Sequence, residues 1–326
     1  MIICQTPFRI SFFGGGTDWP EFFLEHGGAV LGTAIDKFIF HSATSFPSRL
    51  FDYSIRLAYR KVECAKSIDQ IEHRPFREIL RHFGIFRDIE INLAADLPSF
   101  SGVGSSSSFT VGLINTLAAF QGRFVSKHEL AYTAIDLERQ RLGEAVGCQD
   151  QVFAAFGGLN VVEFHRLDHI VVSRLIMSSS RIDELDASLL IFFTGVVRRA
   201  DEVERDKIAR IDQTMPHLKA MRRLVERGHA LLTGNEPLSR FGELLDEAWR
   251  LKKALSPRVS AAPIDGLYDL ARRHGALGGK LLGAGGGGFM LLFVPPERQD
   301  ELRRALADYP EVLFHVNAPG SHIIHS

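Results

Sequence analysis

Apolar and polar residues change their rhythm along this 326-residue chain, and the change divides it. Up to about residue 100 the repeat is that of strands. Residues 29–35 and 38–43 are rich in β-formers on either side of Asp36 and Lys37, which predicts a hairpin with a two-residue turn. Phe51, Tyr53, Ile55, Leu57 and Tyr59 alternate with mostly polar neighbours, as do Ile89, Ile91 and Leu93, the period of a half-buried strand. Between them a helix is expected over 68–83, with Pro75 as a break.

From Ser105 the period becomes helical. Phe109, Leu113, Leu117 and Phe120 fall on one face, with Gly122 as the stop. Ser126 and Glu129 form a capping box for a second helix, and a short third helix is expected over 149–157. Strands follow at 159–164, 170–175 and 189–194. Helices then dominate at 200–214, 218–233, 238–255 and 264–274, before strands at 280–282, 289–294 and 312–316 with a helix between the last two. Strands early and helices late predict an α+β protein, not regular βαβ repetition. The polar run Ser178-Ser179-Ser180 places a domain boundary near 177–186, giving units 1–180 and 181–326.

Composition narrows the function. Thirty-eight basic against 39 acidic side chains leave a net charge of -1. That balance gives no reason to expect nucleic acid or an anionic membrane as partner. Three scattered cysteines, Cys4, Cys64 and Cys148, make neither a disulfide framework nor a zinc site. No apolar run reaches the roughly 20 residues a membrane helix needs, and no secretory leader is evident. A soluble cytoplasmic protein is expected.

Three glycine-rich segments carry the candidate chemistry. In Pro98-Ser99-Phe100-Ser101-Gly102-Val103-Gly104-Ser105-Ser106-Ser107-Ser108 the glycines let backbone approach an anion. The helix start that follows offers free N–H groups and a positive dipole end. A flexible Gly/Ser linker would not run straight into a regular apolar helical face. The segment 283–288 satisfies GxGxxG literally, but a strand follows it where a dinucleotide fold needs a helix. No GxxxxGK[ST] loop occurs. The third segment is Gly14-Gly15-Gly16-Thr17-Asp18.

Taken in order, these segments resemble those of the GHMP kinases. Pro98-x3-Gly102-Val103-Gly104-Ser105-Ser106 is similar to that family's phosphate loop, with Val103 in place of leucine. Gly283-Ala284-Gly285-Gly286-Gly287 is similar to its C-terminal glycine motif. Pro7-Phe8-Arg9-Ile10 leading to Gly15-Gly16-Thr17-Asp18 is similar to its N-terminal substrate motif. The resemblance spans nearly the whole chain. It implies a two-domain fold, ribosomal protein S5 domain 2-like at the N-terminus and ferredoxin-like at the C-terminus, with ATP and a sugar or sugar phosphate meeting between the domains.

The resemblance also implies residue roles. The loop Gly102, Val103, Gly104, Ser105, Ser106 and Ser107 would hold the ATP phosphates. Ser106 and Glu138 would hold Mg²⁺, a hard cation that suits oxygen ligands. By itself, Glu138 shares a helix face with Ala131, Ala134 and Ile135. A carboxylate there must be paired or hydrated, and an ion pair with Arg139 or Arg141 is the structural alternative. Asp150, in a segment similar to the galactokinase C-G-x-x-D-Q, would accept or orient the acceptor hydroxyl; at a helix start it also suits the dipole. Arg9 would neutralise charge at the transferred phosphoryl group. Gly15, Gly16, Thr17, Asp18, Gly285 and Gly286 would line the substrate site.

Glycines stand where galactokinase has a glutamate and a histidine, which leaves room for a substrate bulkier than galactose. The adjacent Arg198 and Arg199 can grip a phosphate already on the substrate. This combination resembles kinases of D-glycero-D-manno-heptose 7-phosphate that act at its anomeric hydroxyl. A fucokinase or galactokinase-like enzyme, or a non-catalytic sugar-sensing homologue, are the alternatives. The oligomeric state is not set by one chain, and a homodimer is allowed.

Overall fold

The computed structural model describes residues 1–99, 101–196 and 200–326. The first sheet has eight strands. The long β1 (Ile2–Phe13) and β2 (Gly28–Ser45) run antiparallel at its centre. The path continues from β2 through β5 (Ile89–Ala95) and β3 (Ile55–Ala58) to β4 (Val62–Ala65), while β6 (Leu159–Arg166) pairs with β2 and β7 (His169–Arg174). The second sheet orders β8 (Leu189–Phe193), β9 (Gly278–Leu281), β10 (Phe289–Phe293) and β11 (Glu311–Val312) as β11-β8-β10-β9, all antiparallel. Numbered within that sheet the order is 4-1-3-2, the arrangement of a ferredoxin-like unit. The last strand, β12 (His322–His325), returns to pair with β1.

The molecule is α+β, as expected, but several local expectations are corrected. Asp36 and Lys37 make no hairpin turn: β2 runs straight through them. The pairing with β1 jumps from Pro7↔Phe38 to Phe8↔Ile35, so the two residues are absorbed as a bulge that bends the strand. Pro75 starts a helix instead of breaking one. It occupies the first turn of Arg74–His82, where its missing N–H costs nothing. Within the stretch 177–186, Ser178 Oγ accepts the Arg181 N–H at 3.3 Å and caps helix Ser179–Ser188, which leaves the expected boundary there untouched. The helices expected at 200–214 and 218–233 instead divide at Arg210, as Ala200–Ala209 and Ile211–Thr233. The expected strand 312–316 is only Glu311–Val312.

Helix Ser105–Phe120 is more deeply set than its single apolar face predicts. Every residue from Ser107 to Ala118 is buried, because β1 and β2 pack on one side and other helices on the rest. Its polar side chains are satisfied internally: Ser108 Oγ donates to the Pro7 carbonyl at 2.8 Å and Thr116 Oγ1 to the Gly112 carbonyl at 2.7 Å. The helix whose N-terminus faces the cleft is thus fixed by its whole circumference. No helix among the described residues is long and apolar enough to cross a membrane.

Candidate active site

The phosphate-loop segment closes on glycine geometry. Gly102 (φ 84°) and Gly104 (φ 78°) are left-handed, and Gly104 caps helix Ser105–Phe120. Contact leaves no room for a side chain either: a Cβ on Gly102 would lie 2.8 Å from the Leu282 carbonyl oxygen. A Cβ on Gly283 would lie 2.5 Å from the Gly102 Cα. Two of the three glycine segments, far apart in sequence, therefore touch backbone to backbone.

Arg9 lies beneath this contact. Its N–H donates to the Val103 carbonyl at 3.0 Å and its Nη1 to the Gly102 carbonyl at 2.6 Å. Its other face grips Asp150, Nε to Oδ1 at 2.7 Å and Nη2 to Oδ2 at 2.5 Å. Asp150 sits in the first turn of helix Gln149–Phe156. The bidentate pair joins β1 to that helix start and orients both groups toward one cavity of about 140 Å³.

Asp18 forms the adjacent wall. Its carboxylate accepts N–H bonds from Gly16 at 2.9 Å and Gln149 at 3.2 Å, and it is almost wholly buried. Burial, then the charge of Asp150, raises its pKa from 3.8 to about 6. A Cβ on Gly147 would collide with Asp18 Oδ2 at 1.9 Å, so that glycine is the condition for Asp18's placement. Gly15, Gly16 and Gly285 also line the cavity, with Gly102, Gly104, Ser105, Ser106 and Ser107.

Other expected site residues sit back from it. Thr17 is fully buried, its hydroxyl 2.8 Å from the Gly14 and Ala29 carbonyls and accepting the Ala29 N–H at 3.1 Å, so it locks its own turn. The Gly286 N–H donates to the Val259 carbonyl at 2.8 Å. Val103 is buried beneath the loop. Arg198 and Arg199 lie outside the described residues.

Glu138 occupies a π-helical turn, Leu137–Arg141, and is completely buried. It pairs with neither Arg139 nor Arg141; Arg139 reaches Glu21 at 2.8 Å instead. Its Oε2 accepts from Ser107 Oγ at 2.9 Å and Gln151 Nε2 at 2.5 Å, while Oε1 has no partner among the described residues. Burial, with a smaller contribution from Glu144, raises its pKa to about 8. An orphaned, desolvated carboxylate oxygen behind a phosphate loop fits a hard cation. The hydroxyl that meets Glu138 is that of Ser107, whereas Ser106, one residue earlier on the helix, is exposed.

Sequence reading missed four charged residues lining the cavity: Glu204, Lys207, Lys252 and Lys280. Lys207 Nζ lies 2.7 Å from Glu204 Oε1 and 5.3 Å over the Trp19 ring. One signal was present for Lys252. It continues the buried stripe Leu245, Ala248, Trp249 of helix Ser239–Ala254, where a cation is out of place.

The family model described as GHMP kinases N terminal domain matches residues 71–158, and that described as GHMP kinases C terminal matches 221–311. The chain is 30% identical to a D-glycero-alpha-D-manno-heptose 7-phosphate kinase of Campylobacter jejuni, over 93% of this chain and 92% of that one. It is 29% identical to a bifunctional fucokinase/GDP-fucose pyrophosphorylase of Arabidopsis thaliana, over 94% of this chain but 31% of that longer protein. Its fold is similar to a D-glycero-D-manno-heptose 1-phosphate kinase of Bacteroides thetaiotaomicron, with TM-score 0.82, 24% identity and full coverage of both chains. It is also similar to Lactococcus lactis galactokinase, with TM-score 0.75, 18% identity and 99% and 94% coverage. The chain belongs to the GHMP kinase family, as a sugar kinase that transfers a phosphoryl group from ATP to an alcohol acceptor.

Proposed function

We propose that this enzyme phosphorylates the anomeric hydroxyl of D-glycero-D-manno-heptose 7-phosphate, giving the 1,7-bisphosphate. The observation that carries the cleft's role is the Arg9–Asp150 pair, held between the phosphate loop and the Gly15–Asp18 turn. The substrate assignment rests on the similarity to the Campylobacter kinase and on the space that Gly15 and Gly16 leave.

In this reading the N–H groups opening helix Ser105–Phe120 hold the phosphates of ATP. Each oxygen of Asp150 keeps lone-pair capacity beyond its bond to Arg9, so the carboxylate can take a further hydrogen bond from the acceptor hydroxyl and then its proton. Arg9 neutralises charge between that oxygen and the phosphoryl group. Asp18, braced by two backbone N–H groups, accepts from sugar hydroxyls. Glu138 and a loop serine would hold Mg²⁺, which would supply charge neutralisation of the triphosphate. Arg198 and Arg199 are assigned to the 7-phosphate on sequence alone. Residues 1–180 would carry the loop, base and metal ligands, and 181–326 the C-terminal glycine motif. Such an enzyme would act in the cytoplasm, on a route to an activated heptose for capsule or lipopolysaccharide.

A sugar panel with ATP and Mg²⁺, scored by ADP release, tests the substrate. The heptose 7-phosphate should give the highest kcat/KM, with the new phosphate on the anomeric carbon by ³¹P NMR. Faster turnover of fucose or galactose would reassign it.

A further inference from the structure

Two ammonium groups line the cleft without a carboxylate of their own. Lys252 and Lys280 are 5% and 3% exposed. Lys252 Nζ donates to the Leu281 and Gly283 carbonyls at 2.7 and 2.5 Å. Lys280 Nζ donates to the Ser11 and Phe12 carbonyls at 2.9 and 2.8 Å. An ammonium has three donors, so each lysine keeps one in reserve. Neither makes an ion pair among the described residues, whereas Arg9 is matched by Asp150 and Lys207 by Glu204.

Buried charge without a counter-charge is costly. The groups facing the two lysines make it more so. Burial, then Lys280, Lys207 and Arg9, lower the Lys252 pKa, against a pull from Glu204. Burial, then Arg9 and Lys207, lower that of Lys280 to about 7, against Asp18. Their position is specific. Gly283, whose carbonyl takes Lys252, packs on Gly102 of the phosphate loop. Ser11, whose carbonyl takes Lys280, is two residues beyond Arg9 on β1. Two amines whose charged form a bound anion would stabilise therefore lie where the phosphate loop, the C-terminal glycine loop and Arg9 converge.

We propose that Lys252 and Lys280 donate their free N–H groups to the oxygens of the phosphoryl group in transfer, alongside Arg9. This rests on the kinase reading of the cleft. In the step, the bond from the acceptor oxygen to the terminal phosphorus forms, and the bond from that phosphorus to the bridging oxygen of ADP breaks. The hydroxyl proton passes to Asp150. The lysines exchange no proton. They stabilise the charge spread over the equatorial oxygens in the positions those oxygens take in the transition state.

The test starts from whichever sugar the wild-type enzyme turns over; no turnover of any sugar would count against the kinase reading itself. Lys252→Met and Lys280→Met should each lower kcat by about 100- to 1000-fold, with KM for ATP and sugar within about threefold of wild type. A rise in sugar KM at unchanged kcat would overturn the proposal, since the lysines would then read the acceptor's own phosphate. So would a kcat loss matched by a fall in melting temperature, the mark of a purely structural tether. A crystal of the wild-type protein with a non-hydrolysable ATP analogue needs neither variant nor acceptor. It should place at least one of the two Nζ atoms within about 3.2 Å of a terminal phosphate oxygen. Both ammoniums held only by carbonyls, with that phosphate elsewhere, would sink the idea.

Discussion

Arg9 holds both carboxylate oxygens of Asp150, at 2.7 and 2.5 Å, while its remaining nitrogen reaches the Gly102 carbonyl. One side chain on a central strand thus sets both the shape of the phosphate loop and the direction of the carboxylate beside it. Arg9 is only 5% exposed while the Asp150 side chain is 25% exposed, so the buried guanidinium depends on a carboxylate that still reaches the cleft.

Asp150→Ala should accordingly abolish most turnover without abolishing nucleotide binding. A kcat loss of about 100- to 10,000-fold is expected for loss of a positioned base. ATP affinity, read by calorimetry, should change little. A variant that keeps wild-type kcat would remove Asp150 from the reaction.

Asp18 makes stability depend on pH in a defined direction. Its folded-state pKa of about 6 lies above its ordinary 3.8. Between those values the native state binds the extra proton, so this group's contribution falls as pH rises from about 4 to 6. Each tenfold change in proton affinity is worth roughly 1.4 kcal/mol, which makes the difference on the order of 2–3 kcal/mol. Urea melts at pH 4.5 and 7 should show this slope in wild type and a flatter one in Asp18→Asn. Equal slopes would place the proton elsewhere.

Glu138 should behave as a strained acid that a cation relieves. With its pKa raised to about 8 from 4.5, its share of stability falls as pH rises through that window when no cation is bound. Glu138→Gln should melt higher than wild type at pH 8.5 without magnesium, yet need severalfold more Mg²⁺ for half-maximal activity. An unchanged magnesium requirement would release Glu138 from the metal site.

Gly104→Ala tests the loop by backbone alone. The new Cβ would lie 3.0 Å from the Arg9 Cγ at φ 78°, adding left-handed strain of about 1–2 kcal/mol to displacement of Arg9. Lower thermal stability and lower kcat are expected together. Gly84→Ala provides the contrast. It is also left-handed, at φ 66°, but has nothing within 4 Å, so it should lose stability with kcat intact.

Much of the site was written in local sequence. Helix Ser105–Phe120, the Ser126 cap with its 3.2 Å bond from the Glu129 N–H, and the glycines that permit left-handed backbone are short-range features. Residue type and spacing determine them because neighbours in the chain are neighbours in space. The family resemblance used the same fragments, and it carried Arg9 and Asp150 to one place without any geometry.

What the sequence left undecided were relations across long loops. Asp36 and Lys37 have turn-like chemistry, yet pairing with β1 that resumes on both sides of the bulge, and with β6 before it and β5 after it on the other edge, holds β2 in one piece. That Ser107, not Ser106, meets Glu138 depends on the rotation of a helix buried on all sides. Lys280 bonds to carbonyls 268 and 269 residues away, and no period in either segment announces that contact. Local propensity specified the elements and their loops. Only tertiary packing decided which charged side chains line the cleft, and that Lys252 and Lys280 make no ion pair there among the described residues.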